Sequence, residues 1–576
     1  MRAAAGRRKC VKTDRISNKQ AGRFSSLWCH AAAILFALFM VFGRSFEKRD
    51  SWELVLEDGT TMLLSLVQGI CWYLAFLLAV SWLFRFLDRA LAADSAAHAP
   101  DGRKAGVFRL LAGKYLAQLE THPARTAFCT LILVNLPYMV LSYPAIFMGD
   151  TPSQIGQALG SRELTNHHPI THTLLISFFL HIGDLLGSDN AGIFLYTLTQ
   201  TLAICAVMAC AVKALAEIGV NRLLLAGILL YYCVHPRISA FFFLVTKDVP
   251  YAAFFTLFYV TLFKLLRGAP FRKRDYAALG AGIVGMICLR NDGQYVIFLT
   301  LLLALLYKAA RKKALAFLGV AAAAVLSLNW IVFPLLNVEP GSIREMLSLP
   351  FQQTARYLRD AGWDVTEEEK AAIDRVLDYD VLAESYDPDL SDNVKSTYHG
   401  ETEDLKDYFS AWFQMLLRHP GIYIQATMNN YYQYFYPGES LFNGYTYSWG
   451  GQVMETVNDA ERTDFHLPEQ LQSLREGYQS LREDTFRTPL LSWLNSPALY
   501  TWAAILYLLY CLRRKSFVGF VYGVPMLVQM LIFITGPTNG AYCRYEYPML
   551  IYLPAVLLLG LRLMGIPQRR QADDAI

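Results

Sequence analysis

Residues 272–313 read RKRDYAALGAGIVGMICLRNDGQYVIFLTLLLALLYKAARKK, two apolar halves around Arg290-Asn291-Asp292-Gly293 with a basic cluster at each end. The first half, 276–289, reaches only about 21 Å as a helix, short of a hydrocarbon core of about 30 Å. Lys and Arg collect on the cytoplasmic side of membrane proteins, and both basic clusters demand that side. The chain therefore goes out and returns, with Arg290 at the outer turn.

The same pattern repeats outward from this hairpin. Apolar runs fall at 27–43, 62–84, 126–148, 190–212, 223–243, 249–266, 276–289, 293–307, 314–336, 495–512, 517–535 and 547–565. Placing these two clusters, the N-terminal tail, the 85–125 loop, Lys213/Arg222, Lys264/Arg267, Arg513-Arg514-Lys515 and the C-terminal Arg562/Arg569/Arg570 inside puts 32 Lys+Arg in the cytoplasm, against eight in the short outer loops. The stretch 169–187 is apolar too, but it holds His172, His181 and Asp184, and a span there would invert every later loop. It reads as a helix lying on the outer surface. The expectation is an α-helical polytopic membrane protein with twelve spans and both termini cytoplasmic. The first span reads as an uncleaved signal anchor.

Composition agrees. Of 576 residues, 54% are hydrophobic and 17% charged, and the apolar residues come in blocks rather than amphipathic scatter. This excludes a soluble enzyme and a nucleic-acid binder. The ten cysteines include no CxxC pair and no zinc spacing, which excludes a disulfide scaffold. The net charge of +4 hides an asymmetry, because residues 337–489 carry 27 Asp+Glu against 12 Lys+Arg, a net of −15. That segment reads as a mostly helical extracytoplasmic domain, with a capping box at Thr366-Glu367-Glu368-Glu369. Its aromatic cluster (Tyr423, Tyr431, Tyr432, Tyr434, Phe435, Tyr436, Tyr445, Tyr447, Trp449) suits either sugar stacking or ordinary packing and an interfacial belt. The chain divides into 1–125 (basic tail, two spans and a loop), 126–336 (membrane core), 337–489 (acidic domain) and 490–576 (three spans and a basic tail).

Five outer loops then bring polar residues to one face. They are Gly149-Asp150-Thr151-Pro152, Asn166-His167-His168-Pro169, His235 to Asp248 with Lys247-Asp248 at its end, Arg290-Asn291-Asp292-Gly293, and Asn539 to Tyr545 with Arg544. Ionisable groups against apolar helices are costly and have partners or work to do. A carboxylate such as Asp150 can serve as a general base beside the bilayer, and cations at the same depth suit a lipid phosphate. These parts would make a glycosyl or a phosphoryl transferase. Bland readings stand beside these roles. Asp150 and Asp248 each precede a helix and suit capping, and Lys247, Arg290 and Arg544 suit snorkelling. His167 and His168 suit hydrogen bonding or acceptor positioning better than a divalent metal site, because adjacent histidines rarely face one ion.

Asp150, His167-His168-Pro169 and Lys247-Asp248 in this order resemble the GT-C superfamily, which includes protein O-mannosyltransferases and lipid A aminoarabinose transferases. Residues 347–356 (LSLPFQQTAR) with Leu289 to Gly293 resemble more closely a group of uncharacterised bacterial multi-spanning proteins placed with GT-C enzymes. The resemblance implies a GT-C-like bundle and inverting transfer of a sugar from a polyprenyl-phosphate carrier to an extracytoplasmic acceptor in the cell envelope, a polymer, a lipid or a protein. Asp150 matches the catalytic carboxylate, with His167, His168, Lys247, Asp248, Arg290 and Arg544 binding substrate. Two features depart from it: His167-His168-Pro169 stands where many relatives have Lys-Pro-Pro, and the spans within 27–84 precede the usual first span. The competing class is a secondary transporter or flippase-like protein, which would carry its polar site near the bilayer midplane in two related halves.

Overall fold

The computed structural model describes residues 2–93, 107–438, 451–536 and 544–565. Its described residues form helices and turns, with isolated bridges in place of strands. Eight helices are long and apolar enough to cross a bilayer: Ser26–Arg49, Gly59–Leu91, Pro123–Leu141, Asp189–Glu217, Asp248–Leu266, Arg311–Leu335, Phe517–Thr535 and Arg544–Met564. The protein is a helical polytopic membrane protein on this count.

The remaining four of the twelve expected spans fall short for physical reasons. In 223–243, the Arg222–Val234 helix stops at His235 because Pro236 follows and starts a separate short helix. Lys273–Leu289 has 17 residues and begins among its own basic cluster, and Gly293–Ala304 has only 12. Pro497–Arg514 has the length, but tyrosines and a basic last turn dilute its hydropathy.

Asp248–Leu266 is the axis of the bundle, packed between Asp189–Glu217, Lys273–Leu289 and Tyr547–Met564. Its Phe255 and Tyr259 stack at 5.4 Å, and Tyr259 lies 4.5 Å from Tyr552. Gly59–Leu91 and Arg311–Leu335 instead leave most of their apolar surface uncovered, as peripheral, lipid-facing helices do. The expected surface helix is Ile170–Leu186, ended by Gly187 at φ 67°. It lies on Asp189–Glu217 through paired glycines: a Cβ on Gly192 would sit 2.7 Å from Phe179 O, and one on Gly183 2.9 Å from Gly192 Cα. Gly192→Val is therefore expected to force the two helices apart and cost about 1–3 kcal/mol, read as a lowered unfolding temperature in detergent.

The first two spans form a hairpin turning at Asp50. They buttress the C-terminal spans: Phe36 stacks on Trp502 at 4.5 Å and Arg513 pairs with Asp88 at 2.7 Å. The acidic segment is helical as expected. Ser348–Ala361, Leu405–Arg418 and Pro420–Phe435 enclose a core of Phe351, Tyr357, Tyr408, Met415 and Tyr423. The Thr366 capping box forms, with Glu369 N donating to Thr366 Oγ1 at 3.2 Å and Thr366 N to Glu369 Oε2 at 3.0 Å. Tyr423, Tyr432, Tyr434, Phe435 and Tyr436 are buried packing residues, so they offer no face to a sugar. Tyr445, Tyr447 and Trp449 lie outside the described residues.

Candidate active site

Helix ends bring the expected residues to one end of the bundle. Asp150 heads Thr151–Leu159, Lys247 and Asp248 open Asp248–Leu266, Arg290 closes Lys273–Leu289, and Arg544 starts the turn into Tyr547–Met564. Capping is not what the carboxylates do. Asp150 makes no side-chain cap bond, and Asp248 spends its oxygens elsewhere.

Asp150 Oδ2 accepts from Lys247 Nζ at 3.1 Å and from Arg544 Nη1 at 2.8 Å, with His168 Nδ1 at 3.9 Å. Its side chain is 21% exposed, and its Oδ1 has no hydrogen-bond partner among the described residues. Burial alone would raise the pKa of Asp150. Lys247, Arg544 and His168 overcome that and hold the carboxyl well below its ordinary 3.8. Lys247 Nζ also lies 3.4 Å from His168 Nδ1, which accepts in the neutral ring. Burial, reinforced by Lys247, brings His168 down to about 3.

A second, deeper layer lies behind the first. Arg290 donates from Nε and Nη2 to the two oxygens of Asp292, at 3.0 and 2.8 Å, and from Nη1 to Asp248 Oδ1 at 3.0 Å. Thr246 Oγ1 donates to the other Asp248 oxygen at 2.9 Å. The guanidinium lies over the rings of Tyr545, at 4.6 Å, and Tyr251, at 5.2 Å. The hairpin turn that carries Arg290 and Asp292 needs Gly293, because a Cβ there would overlap Met286 O.

Consecutive residues serve the two layers. Lys247 and Arg544 face Asp150, while their neighbours Asp248 and Tyr545 face Arg290. The next residue, Glu546, is fully buried and reaches Arg237 Nη1 at 3.3 Å. The outer layer carries one carboxylate and two cations, an excess of positive charge; the inner layer carries two carboxylates and one cation.

Six of the seven expected residues thus gather in two linked groups. Arg290 belongs to the inner one, held by two carboxylates, instead of being open to a phosphate as the sequence suggested. His167 stands at the rim, 37% exposed on its side chain, with Nδ1 3.8 Å from Glu345 of the acidic segment. Sequence reasoning missed Asp292, Tyr251, Tyr545 and Glu345. Asp292 sits in the quoted hairpin, and the buried arginine's need for a bidentate partner is the signal that finds it. Residues 537–543, which include Asn539 and Tyr542, lie outside the described residues.

A family model matches residues 159–573; its description is DUF6020, family of unknown function. The chain belongs to that family. The matched stretch takes in His167, His168, Lys247, Asp248, Arg290 and Arg544 and begins shortly after Asp150, leaving the first three spans outside. No curated protein and no solved structure matches the chain.

The histidine beside Asp150 yields a direct test. His168 has an ordinary value of 6.5 and about 3 in the fold, so its contribution to stability is whole above pH 6.5 and is lost as pH falls towards 3. His168→Asn keeps an acceptor near the Nδ1 position and removes the titration. Melting curves across that window are expected to fall less steeply for the variant than for the wild type.

Proposed function

We propose that this chain is a GT-C-type inverting glycosyltransferase that moves a sugar from a polyprenyl-phosphate carrier to an acceptor hydroxyl or amine at the outer membrane surface. The observation that carries this reading is the outer layer: one oxygen of Asp150 is shared by Lys247 and Arg544, the other accepts no hydrogen bond among the described residues, and all three stand at one end of an apolar bundle.

A lipid phosphate bound there competes with Asp150 for the two cations. As they turn to the phosphate, Asp150 loses the charges that keep it weakly basic and becomes a better proton acceptor. The acceptor oxygen or nitrogen then attacks the anomeric carbon and its proton passes to Asp150. The bond from that carbon to the phosphate oxygen breaks, and the electron pair leaves with the phosphate, held by Lys247 and Arg544. His168 braces Lys247 without adding charge. Arg290, Asp248 and Asp292 hold the segments carrying Lys247 and Arg544 in register and so act as positioning residues.

In this reading the twelve-span arrangement holds, with the four shorter or less apolar helices completing the bundle against their neighbours. The acidic segment then covers the outer face, and Glu345 meets the site through His167. The experiment is incubation of purified protein with a polyprenyl-phosphate sugar and a panel of envelope acceptors, reading carrier release. Release coupled to acceptor modification supports the reading. Substrate flux across sealed vesicles without sugar transfer would replace it with a transporter.

A further inference from the structure

The end of the bundle opposite Asp150 carries a different charge cluster. Two turns meet there: 267–274, between Asp248–Leu266 and Lys273–Leu289, and 305–313, which leads into Arg311–Leu335. The first brings Arg267 and Arg272-Lys273-Arg274, the second Arg311-Lys312-Lys313. Packing holds the two turns side by side. Lys313 Nζ lies over the Phe271 ring at 5.2 Å, a Cβ on Gly268 would sit 3.7 Å from Ala309 Cβ, and Tyr276 stacks on Phe317 at 6.2 Å.

The cluster is short of counter-charge. The carboxylate beside it, Asp275, already accepts from Lys264 Nζ and from Arg272 N, both at 2.9 Å. Among the described residues none of these arginines and lysines has an ion-pair partner, and all but Lys313 are exposed. At the same end, by contrast, Lys213 meets Glu217 at 3.7 Å, Arg222 meets Glu120 at 3.9 Å and Arg513 meets Asp88 at 2.7 Å. Paired and unpaired cations fix sidedness equally well, so sidedness does not explain a group left without partners. Like charges pressed together repel, and an anion between them relieves it. Directly beside the charges the surface turns apolar. Arg311–Leu335 leaves most of its surface uncovered, Leu315 is 62% exposed and Tyr276 45%. A phosphate belongs with the cations and acyl chains with that flank, which is the order of parts in a phospholipid. An acidic protein or a free phosphate would use the charges and leave the apolar flank idle.

We infer that the 267–274 and 305–313 turns, joined where Lys313 packs on Phe271, form a headgroup site for an anionic phospholipid of the leaflet opposite the Asp150 end, with its acyl chains along Arg311–Leu335. Arg311 is already fixed in place there, its Nε donating to Leu305 O at 2.8 Å. The inference does not depend on the proposed enzymatic reaction.

The test uses the full chain in detergent, titrated with phosphatidylglycerol or with phosphatidylcholine of the same chains and read by native mass spectrometry. The anionic lipid is expected to bind about tenfold more tightly or better, and to raise the unfolding temperature. Arg272→Gln with Arg274→Gln, and Lys312→Gln with Lys313→Gln, should each weaken its binding about tenfold, with unfolding temperatures in phosphatidylcholine close to wild type. The control, Lys213→Gln with Arg222→Gln, removes the same charge from paired positions and should keep the preference. Equal binding of the two lipids, a preference that survives in both cluster variants, or equal loss in the control overturns the inference. So does displacement of the lipid by inorganic phosphate beyond that by chloride at equal ionic strength, which would mark a free-anion site. Loss of the preference in Arg544→Gln overturns it too, because the phosphate would then lie beside Asp150. Should one cluster variant unfold, the other, on a different turn, gives the same reading.

Discussion

Asp150→Asn is expected to cut sugar transfer by about 10²- to 10⁴-fold while leaving affinity for the lipid phosphate unchanged or tighter. The amide cannot take the acceptor's proton, which removes the base. Lys247 and Arg544 lose a competing anion, which favours the phosphate. A misfolded variant would lose both properties together, so measuring carrier binding beside transfer separates the causes. The pH profile adds a second check. In the free protein the cations hold Asp150 well below 3.8, so the acid limb of kcat/KM from this group lies below the ordinary carboxylate range. Once a phosphate has drawn the cations away, the limb in kcat should stand at higher pH than the limb in kcat/KM. Undiminished transfer by Asp150→Asn would sink the base assignment, and coincident limbs would sink the exchange of cations.

The sequence made the gathering of these residues legible for one reason. Basic clusters such as Arg272-Lys273-Arg274 fix sidedness, and sidedness sends Asp150, Lys247, Arg290 and Arg544 to the same end of the helices. It could not say who pairs with whom. Pairing depends on how helix ends are rotated, and here rotation gives Lys247 to Asp150 and its neighbour Asp248 to Arg290. Long-range contacts such as His167 with Glu345 leave no local trace either. Eight of the twelve expected spans are long and apolar enough to cross a bilayer, and the difference arises at the same level. Hydropathy windows register apolar content across Pro236, but the helix ends at His235 and a separate one starts at Pro236. The aromatic cluster of the acidic segment showed the reverse ambiguity: stacking surfaces and core residues have one composition, and burial alone distinguishes them.

Arg290→Met is expected to destabilise the protein by about 3–5 kcal/mol, the cost of leaving buried charges without their counter-ion. Asp248 has no exposed surface and Arg290 is 7% exposed, so water cannot replace the lost bonds. Arg290→Lys should fall between the two, because a single ammonium cannot span both oxygens of Asp292 and still reach Asp248. Adding Asp248→Asn and Asp292→Asn to Arg290→Met removes the unpaired charges and should restore much of the stability without restoring the wild-type site. Unfolding in graded denaturant measures all three. The series also decides between two roles for this arginine. A positioning residue loses stability and activity together in Arg290→Met, and the triple variant recovers folding ahead of transfer. An arginine that touches the lipid phosphate would instead leave Arg290→Met as stable as the wild type and weaken carrier binding directly. The inner pair of carboxylates, which already occupies Nε, Nη1 and Nη2, favours the first outcome.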